Sequence, residues 1–278
     1  MNILVATNHL DRLGGSETFT CTLVEELRKE HNVDVFTLLK GDLMETVEPK
    51  PEYDLILINH NTCLEALKDI KGFKIYTCHG IYPDIEQPKA GADAYVAISE
   101  EIYDHIRDFK PVLIRNGIDC ERFSPKKPLR KSVNRILSMC HGKEATALVK
   151  QACEDLEIEF DSIDRDVLDV ENRINEADLV VTLGRGAYES MACGRAVITY
   201  DNREYVGSTP IGDGIVEDWK RLAKNNFSGR ALKRTFLLYE LKEEILKYNP
   251  EMGEKNRAIA LENFDITKQV KEYLKLKQ

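Results

Sequence analysis

Apolar positions along the chain switch between two spacings. Residues 2–6 (NILVA) form a short, nearly continuous apolar run, the signature of a strand buried on both faces. From Ser16 to Lys29, by contrast, Phe19, Leu23 and Leu27 recur every fourth residue, one face of an amphipathic helix. Further strands are predicted at 33–38, 54–58, 74–77, 94–98 and 112–114. Ser99, followed by Glu100 and Glu101, marks a helix N-cap with favourable first-turn charge. Residues 116–130 carry two prolines, a glycine and a basic cluster, and read as a linker. Strands resume at 135–139, 157–163, 178–183 and 196–200, separated by helices at 144–156, 170–177 and 187–193. The tail from Asp218 onward is expected to be helical and is highly charged.

Strands alternating with helices predict an α/β fold with parallel sheets. The pause near 116–130 divides it into an N-terminal domain, 1–122, and a C-terminal domain, 123–249. A length of 278 residues allows two ordinary domains, and 42% hydrophobic residues can fill two modest cores. A formal net charge of −9 argues against general binding of nucleic acid or other polyanions, while leaving room for a local basic pocket. No run approaches the roughly 18 consecutive apolar residues of a membrane span. Residues 1–6 enter a strand without the basic flank of a signal peptide, so a cytoplasmic protein is expected, with peripheral attachment to a membrane surface left open. The seven cysteines are scattered without a CxxC pair, which suits buried thiols in a reducing compartment and not a zinc site.

In open parallel sheets ligands bind beyond the carboxyl ends of the strands, and four of the loops there carry unusual residues. In 7–17 (TNHLDRLGGSE), Gly14 and Gly15 permit close backbone approach, and Ser16 can cap a helix whose free N–H groups attract phosphate or sugar oxygens. A plain glycine turn accounts for the same residues, and the pattern is not GxGxxG. In 77–83 (TCHGIYP), His79 ends a strand; His9 and His60 also follow strands, in structural or acceptor-side positions. In 140–144 (CHGKE), Lys143 opens a helix after Gly142 and can neutralise a diphosphate, unless it is an ordinary solvated lysine. In 184–194 (GRGAYESMACG), a glycine-rich turn brings Arg185, Gly186 and Glu189 to the start of a helix. There Glu189 is expected on the first turn, kept ionised by the helix N-terminus, able to bind two ribose hydroxyls or merely to compensate the dipole.

Taken together, the loops resemble the large retaining family of GT-B glycosyltransferases numbered family 4. GGSE at 14–17, AISE at 97–100, RNGID at 115–119 and above all ADLVVTLGRGAYESMACGRAVITYD at 177–201 carry the resemblance; NFSGR at 226–230 and NRAIALENFD at 256–265 resemble a compact subset. The resemblance implies two Rossmann-like domains facing a central cleft, an acceptor-side N-terminal domain, and a C-terminal helix within 250–278 that packs back toward it. It also implies a nucleotide-sugar donor of UDP or GDP type, an acceptor of unspecified class (glycan, lipid or small molecule), no metal and no separate cofactor. Residue by residue, Gly14 and Gly15 would contact the donor's phosphate or sugar and His79 the transferred sugar. Glu189 would hold the ribose, and Lys143, Arg185 and Gly186 would lie at the diphosphate. Two features depart from the family. Its frequent second glutamate, eight positions before Glu189, is here Val181, and its arginine and Lys-Gly signature is replaced by CHGKE. A nucleotide-sugar epimerase and a non-catalytic sugar- or nucleotide-binding module are the competing readings; the first would turn over donor without acceptor, the second would bind without turnover.

Overall fold

The structure is a computed structural model, which describes residues 1–11, 14–39, 41–140, 142–163, 167, 169–201, 211–232 and 234–277. Along the chain the elements are β1 (Asn2–Thr7), α1 (Gly15–Arg28), β2 (Asn32–Thr37), β3 (Glu52–Ile58), α2 (Asn61–Ala66), β4 (Lys71–Cys78), β5 (Ala94–Ala97), α3 (Glu100–His105) and β6 (Val112–Leu113). There follow β7 (Arg135–Ser138), α4 (Lys143–Asp155), β8 (Glu159–Ser162), α5 (Val170–Glu176), β9 (Leu179–Thr182), α6 (Arg185–Ala192) and β10 (Ala196–Asp201). The remainder holds β11 (Ile211–Ile215), α7 (Trp219–Ala223), β12 (Arg234–Thr235), α8 (Leu238–Leu246), α9 (Glu251–Asn263) and α10 (Ile266–Lys275). These elements form two compact units, Met1–Gly117 with Ile266–Gln278, and Ile118–Asp265.

The first unit is a parallel sheet ordered β2-β1-β3-β4-β5-β6. Ile3 and Val5 face one layer with Phe19, Leu23 and Leu27 of α1 and Val270 and Tyr273 of α10. Leu4 and Ala6 face the opposite layer, with Cys63 and Leu64 of α2 and Ile102 of α3. Both faces are therefore covered, the physical reason the first strand is apolar without alternation. Ser99 Oγ accepts the N–H of Ile102 and caps α3. The buried Tyr273 hydroxyl meets Thr77 Oγ1 at 2.9 Å, tying α10 to the end of β4.

The second unit runs β12-β11-β10-β9-β7-β8. Its β8, β7, β9 and β10 are parallel, whereas β10–β11 and β11–β12 pair antiparallel. The all-parallel expectation therefore fails at this edge. A register shift opposite Thr199 and Tyr200 sits beside Gly214, whose φ of 79° and packing against Glu244 exclude a side chain.

Two further expectations are corrected. The tail from Asp218 holds β12 as well as helices, and residues 250–278 form two helices, α9 in the second unit and α10 in the first. Between these helices Phe264 C=O accepts the Ile118 N–H at 2.7 Å, and Ile118 bridges Asp265 in parallel. Residues 116–130 are not a simple exposed linker either. The units part at Gly117, while Ile118, Cys120 and Phe123 are buried in the second unit's core. Arg257 holds that stretch by donating to the carbonyls of Cys120, Phe123 and Ala192. All seven cysteines are thiols, six of them buried; burial pushes Cys63, Cys78, Cys153 and Cys193 up to about 12. Among the described residues no helix is long and apolar enough to cross a membrane.

Candidate functional site

In the first unit, the loops after β1, β3 and β4 bring polar side chains to the carboxyl end of the sheet, where β1 lies between β2 and β3 and the strand order reverses. His79 follows β4, half-buried. Its Nε2–H donates to Asn59 Oδ1 at 3.1 Å, and Phe19 meets the ring edge-on at 4.7 Å between centroids. Asn59 in turn donates to Thr20 Oγ1 at 2.8 Å, and Thr20 to the Ser16 carbonyl at 2.7 Å. The imidazole is thus held from two sides by elements that follow different strands.

Gly14 is the N-cap of α1 and makes no side-chain cap; Ser16, expected to cap, lies inside the first turn. A Cβ on Gly14 would come within 2.2 Å of Glu17 Oε2, whereas one on Gly15 would meet nothing within 4 Å. The Glu17 carboxylate folds back over Gly14 at the helix start, whereas Gly15 leaves open backbone. Glu17 is only 3% exposed, and its Oε1 lies 2.7 Å from His9 Nε2. The His9 ring in turn stacks on His60, with centroids 6.1 Å apart and planes 12° from parallel. His60 Nδ1 accepts from the Asn8 N–H and the Thr7 hydroxyl, and burial, with a smaller contribution from His9, lowers the ring to about 4. His9 and His60 were expected in structural or acceptor-side positions; Glu17, which meets His9, was not singled out, because an acid three residues past Gly14 looks like ordinary first-turn compensation.

In the second unit β7 and β9 are neighbours, so α4 and α6 begin at adjacent strand ends. Lys143 is the first residue of α4 and is exposed, after Gly142 with φ 110°. Helix α6 begins at Arg185, two residues earlier than expected. Gly184 caps it with φ 55° and donates its N–H to the Phe227 carbonyl at 2.9 Å. That carbonyl belongs to a loop in which Asn226 and Phe227 both adopt positive φ, and Phe227 packs edge-on against Tyr188. A side chain at Gly186 would place Cβ 2.3 Å from Thr182 Oγ1, so only glycine lets α6 seat on the end of β9.

Glu189 is the fifth residue of α6, on its second turn and not its first. Its Oε1 accepts from Arg185 Nε at 2.9 Å, and both side chains are 8% exposed. Burial raises its pKa, and the opposing pull of Arg185 does not cancel the rise. Desolvation thus opposes ionisation of this acid, and the Arg185 guanidinium favours it. The position eight before Glu189, Val181, lies fully buried within β9. Only Leu183 and Gly184 separate β9 from α6, so the position eight before Glu189 falls in the strand and not in the turn. Arg185, Gly186 and Glu189 thus share one helix, with Lys143 at the start of the helix after the neighbouring strand. Among the described residues no group of three or more His, Cys, Asp or Glu side chains is arranged to hold a metal ion.

No protein-family profile matches the chain, and no curated sequence matches it. Solved structures do. Over 99% of its length the chain is similar to 96% of AviGT4, described as a glycosyltransferase involved in avilamycin A biosynthesis, with a TM-score of 0.53 and 11% identity. It is similar, over 98% of each chain, to WaaG, described as a glycosyltransferase involved in lipopolysaccharide biosynthesis, with a TM-score of 0.51 and 13% identity. At such identities the likeness establishes architecture, and the chain has it throughout: two six-stranded α/β sheets of Rossmann-like kind, the GT-B fold.

Proposed function

We propose that the protein is a glycosyltransferase that takes a sugar from a UDP- or GDP-type donor and passes it to a hydroxyl acceptor, with retention and without a metal. The observation that carries this reading is the Arg185–Glu189 pair at the start of α6, in a fold shared over its whole length with two glycosyltransferases. Departure of a nucleoside diphosphate develops negative charge while the anomeric carbon becomes cation-like. Lys143, Arg185 and the open N–H groups of α4 and α6 would stabilise that charge more in the transition state than in the ground state. Glu189 would accept from the ribose hydroxyls, Gly14 and Gly15 would admit the donor's phosphate or sugar, and His79 would contact the transferred sugar. Retention, and the assignment of residues 1–122 to the acceptor and 123–249 to the donor, follow the family-4 resemblance.

Mass spectrometry of nucleotide-sugars retained by the purified protein identifies the donor class. Calorimetry then compares UDP or GDP with its 2′,3′-dideoxy analogue on wild type and Glu189→Gln. Wild type should prefer the parent nucleotide, and the variant should lose that preference. Equal binding of both ligands by wild type removes Glu189 from the site.

A further inference from the structure

We propose that helix α8 is the contact through which two copies of this chain associate, lying antiparallel across a two-fold axis. The helix belongs to the second unit alone, and the inference is independent of the glycosyl-transfer reading. Successive residues of an α-helix are turned by about 100°, so Leu241, Glu244 and Ile245 share one side of α8, and that side is buried. Leu241 and Ile245 join the core cluster that holds Val149 of α4 and Phe236. Tyr239, Glu243 and Leu246, spaced four and three apart, form the opposite side. Tyr239 is 65% and Leu246 69% exposed, the two most exposed large apolar side chains among the described residues. The Tyr239 hydroxyl donates to Glu243 Oε1 at 2.7 Å, which holds the ring along the helix. Seven residues is also the repeat at which helix–helix seams place apolar side chains.

The charges along this stripe select the occupant. Lys242 and Glu243 stand side by side at the middle of α8. A second α8 laid antiparallel, with the two-fold axis between these two residues, brings Tyr239 onto the second copy's Leu246 and Leu246 onto its Tyr239. The same operation sets Lys242 opposite the second copy's Glu243, and Glu243 opposite its Lys242, so both charge contacts are favourable. A parallel arrangement would stack Lys242 on Lys242 and Glu243 on Glu243, and like charges disfavour it. Lys242 already donates to Asp155 Oδ2 at 2.8 Å while its side chain stays 31% exposed, and an ammonium has two further donors. An anionic membrane surface fits less well, because Glu240, Glu243 and Glu244 outnumber Lys242 and Lys247 on the helix and its C-cap. A helix of nine residues is only about 13 Å long. Its patch therefore falls below the roughly 1,200 Å² of a standard stable interface, and the dimer is weak and reversible.

Sedimentation equilibrium of the full chain from roughly 1 to 500 µM tests this. Wild type should pass from monomer to dimer across that range. Leu246→Glu, at a site too exposed to disturb folding, should weaken the dimer at least about tenfold, since each contact loses a buried leucine. Lys242→Glu and Glu243→Lys should each weaken self-association as well, because each homodimer then opposes like charges. Mixed in equal amounts, with one chain fluorescently labelled, these two variants should form a heterodimer in which every facing pair is opposite in sign. Its appearance also shows that both chains are folded. A wild type that stays monomeric at the highest concentration overturns the proposal. So does a dimer that Leu246→Glu leaves within about twofold of wild type, or charge variants that fail to weaken alone or to recover together. A monomeric wild type that floats with phosphatidylcholine vesicles, and loses that binding in Leu246→Glu, assigns the stripe to a lipid surface and overturns it too.

Discussion

Arg185→Ala is the most informative single change in the donor-side helix. Arg185 Nε and Glu189 Oε1 are 2.9 Å apart with both side chains 8% exposed, so truncating the arginine strands a carboxylate in a desolvated setting. Breaking a buried pair in this way costs about 3–5 kcal/mol when the remaining group stays charged. Glu189 has an escape, because it can take up a proton. Its folded pKa is already raised by burial, and loss of Arg185 raises it further. A raised folded pKa means that the native state binds more protons than the unfolded state above the unfolded carboxylate value. Stability is then fully present below that value and falls as pH rises through the folded pKa. Urea unfolding of wild type, Arg185→Ala, Glu189→Gln and the double variant at pH 5 and pH 8 reads this directly. The Arg185→Ala deficit should be large at pH 8 and smaller at pH 5. In the double variant, where the residue left behind has no charge, the dependence should vanish. A deficit below about 1 kcal/mol that is identical at both pH values would place Glu189 in water, like an exposed surface pair.

Three other outcomes are expected. His79→Ala should reduce turnover far more than folding stability, since its ring leans on Phe19 at an edge and donates one bond to Asn59; unchanged kinetics with the donor and acceptor in use would make it structural. Lys143→Ala, at an exposed helix start, should leave the unfolding midpoint unmoved. It should weaken nucleoside diphosphate binding by about 1.5–3 kcal/mol and leave the nucleoside unaffected, and equal weakening of nucleoside, monophosphate and diphosphate would contradict a phosphate contact. Tyr273→Phe, which orphans the buried Thr77 hydroxyl, should cost about 1–3 kcal/mol in thermal or urea unfolding, and a neutral result would mean water replaces the lost partner.

The fold was legible where local pattern and burial agree. Strand β1 is apolar at consecutive positions because helices cover both of its faces, and Ser99 announced α3 by its own chemistry. β11 was not legible: Gly212 and Gly214 look like turn residues, and they are glycines because Phe236 and Glu244, distant in sequence, occupy the space of a side chain. For the same reason the division of residues 250–278 into two helices could not be foreseen, since it depends on Ile118 reaching Phe264. In the candidate site, the glycine pattern around Arg185 marked the turn correctly. The burial of Glu189 and of Glu17 is a tertiary property that no spacing encodes, and the Glu17–His9 pair needs the fold of an entire loop to bring its partners together.

The placement of α10 bears on the order in which the protein can assemble during synthesis. The second unit is one uninterrupted stretch, Ile118–Asp265, and has all its core residues once Phe264 has left the ribosome. The first unit begins earlier yet stays incomplete: its sheet waits for Ile266, Val270 and Tyr273 to cover one face. Translation therefore delivers the later-encoded half in finished form before the earlier-encoded half can close. Until then Ile3, Val5 and Phe19 lack part of their cover, and a released chain truncated after Asp265 should present that apolar face to chaperones while its second unit already resists protease.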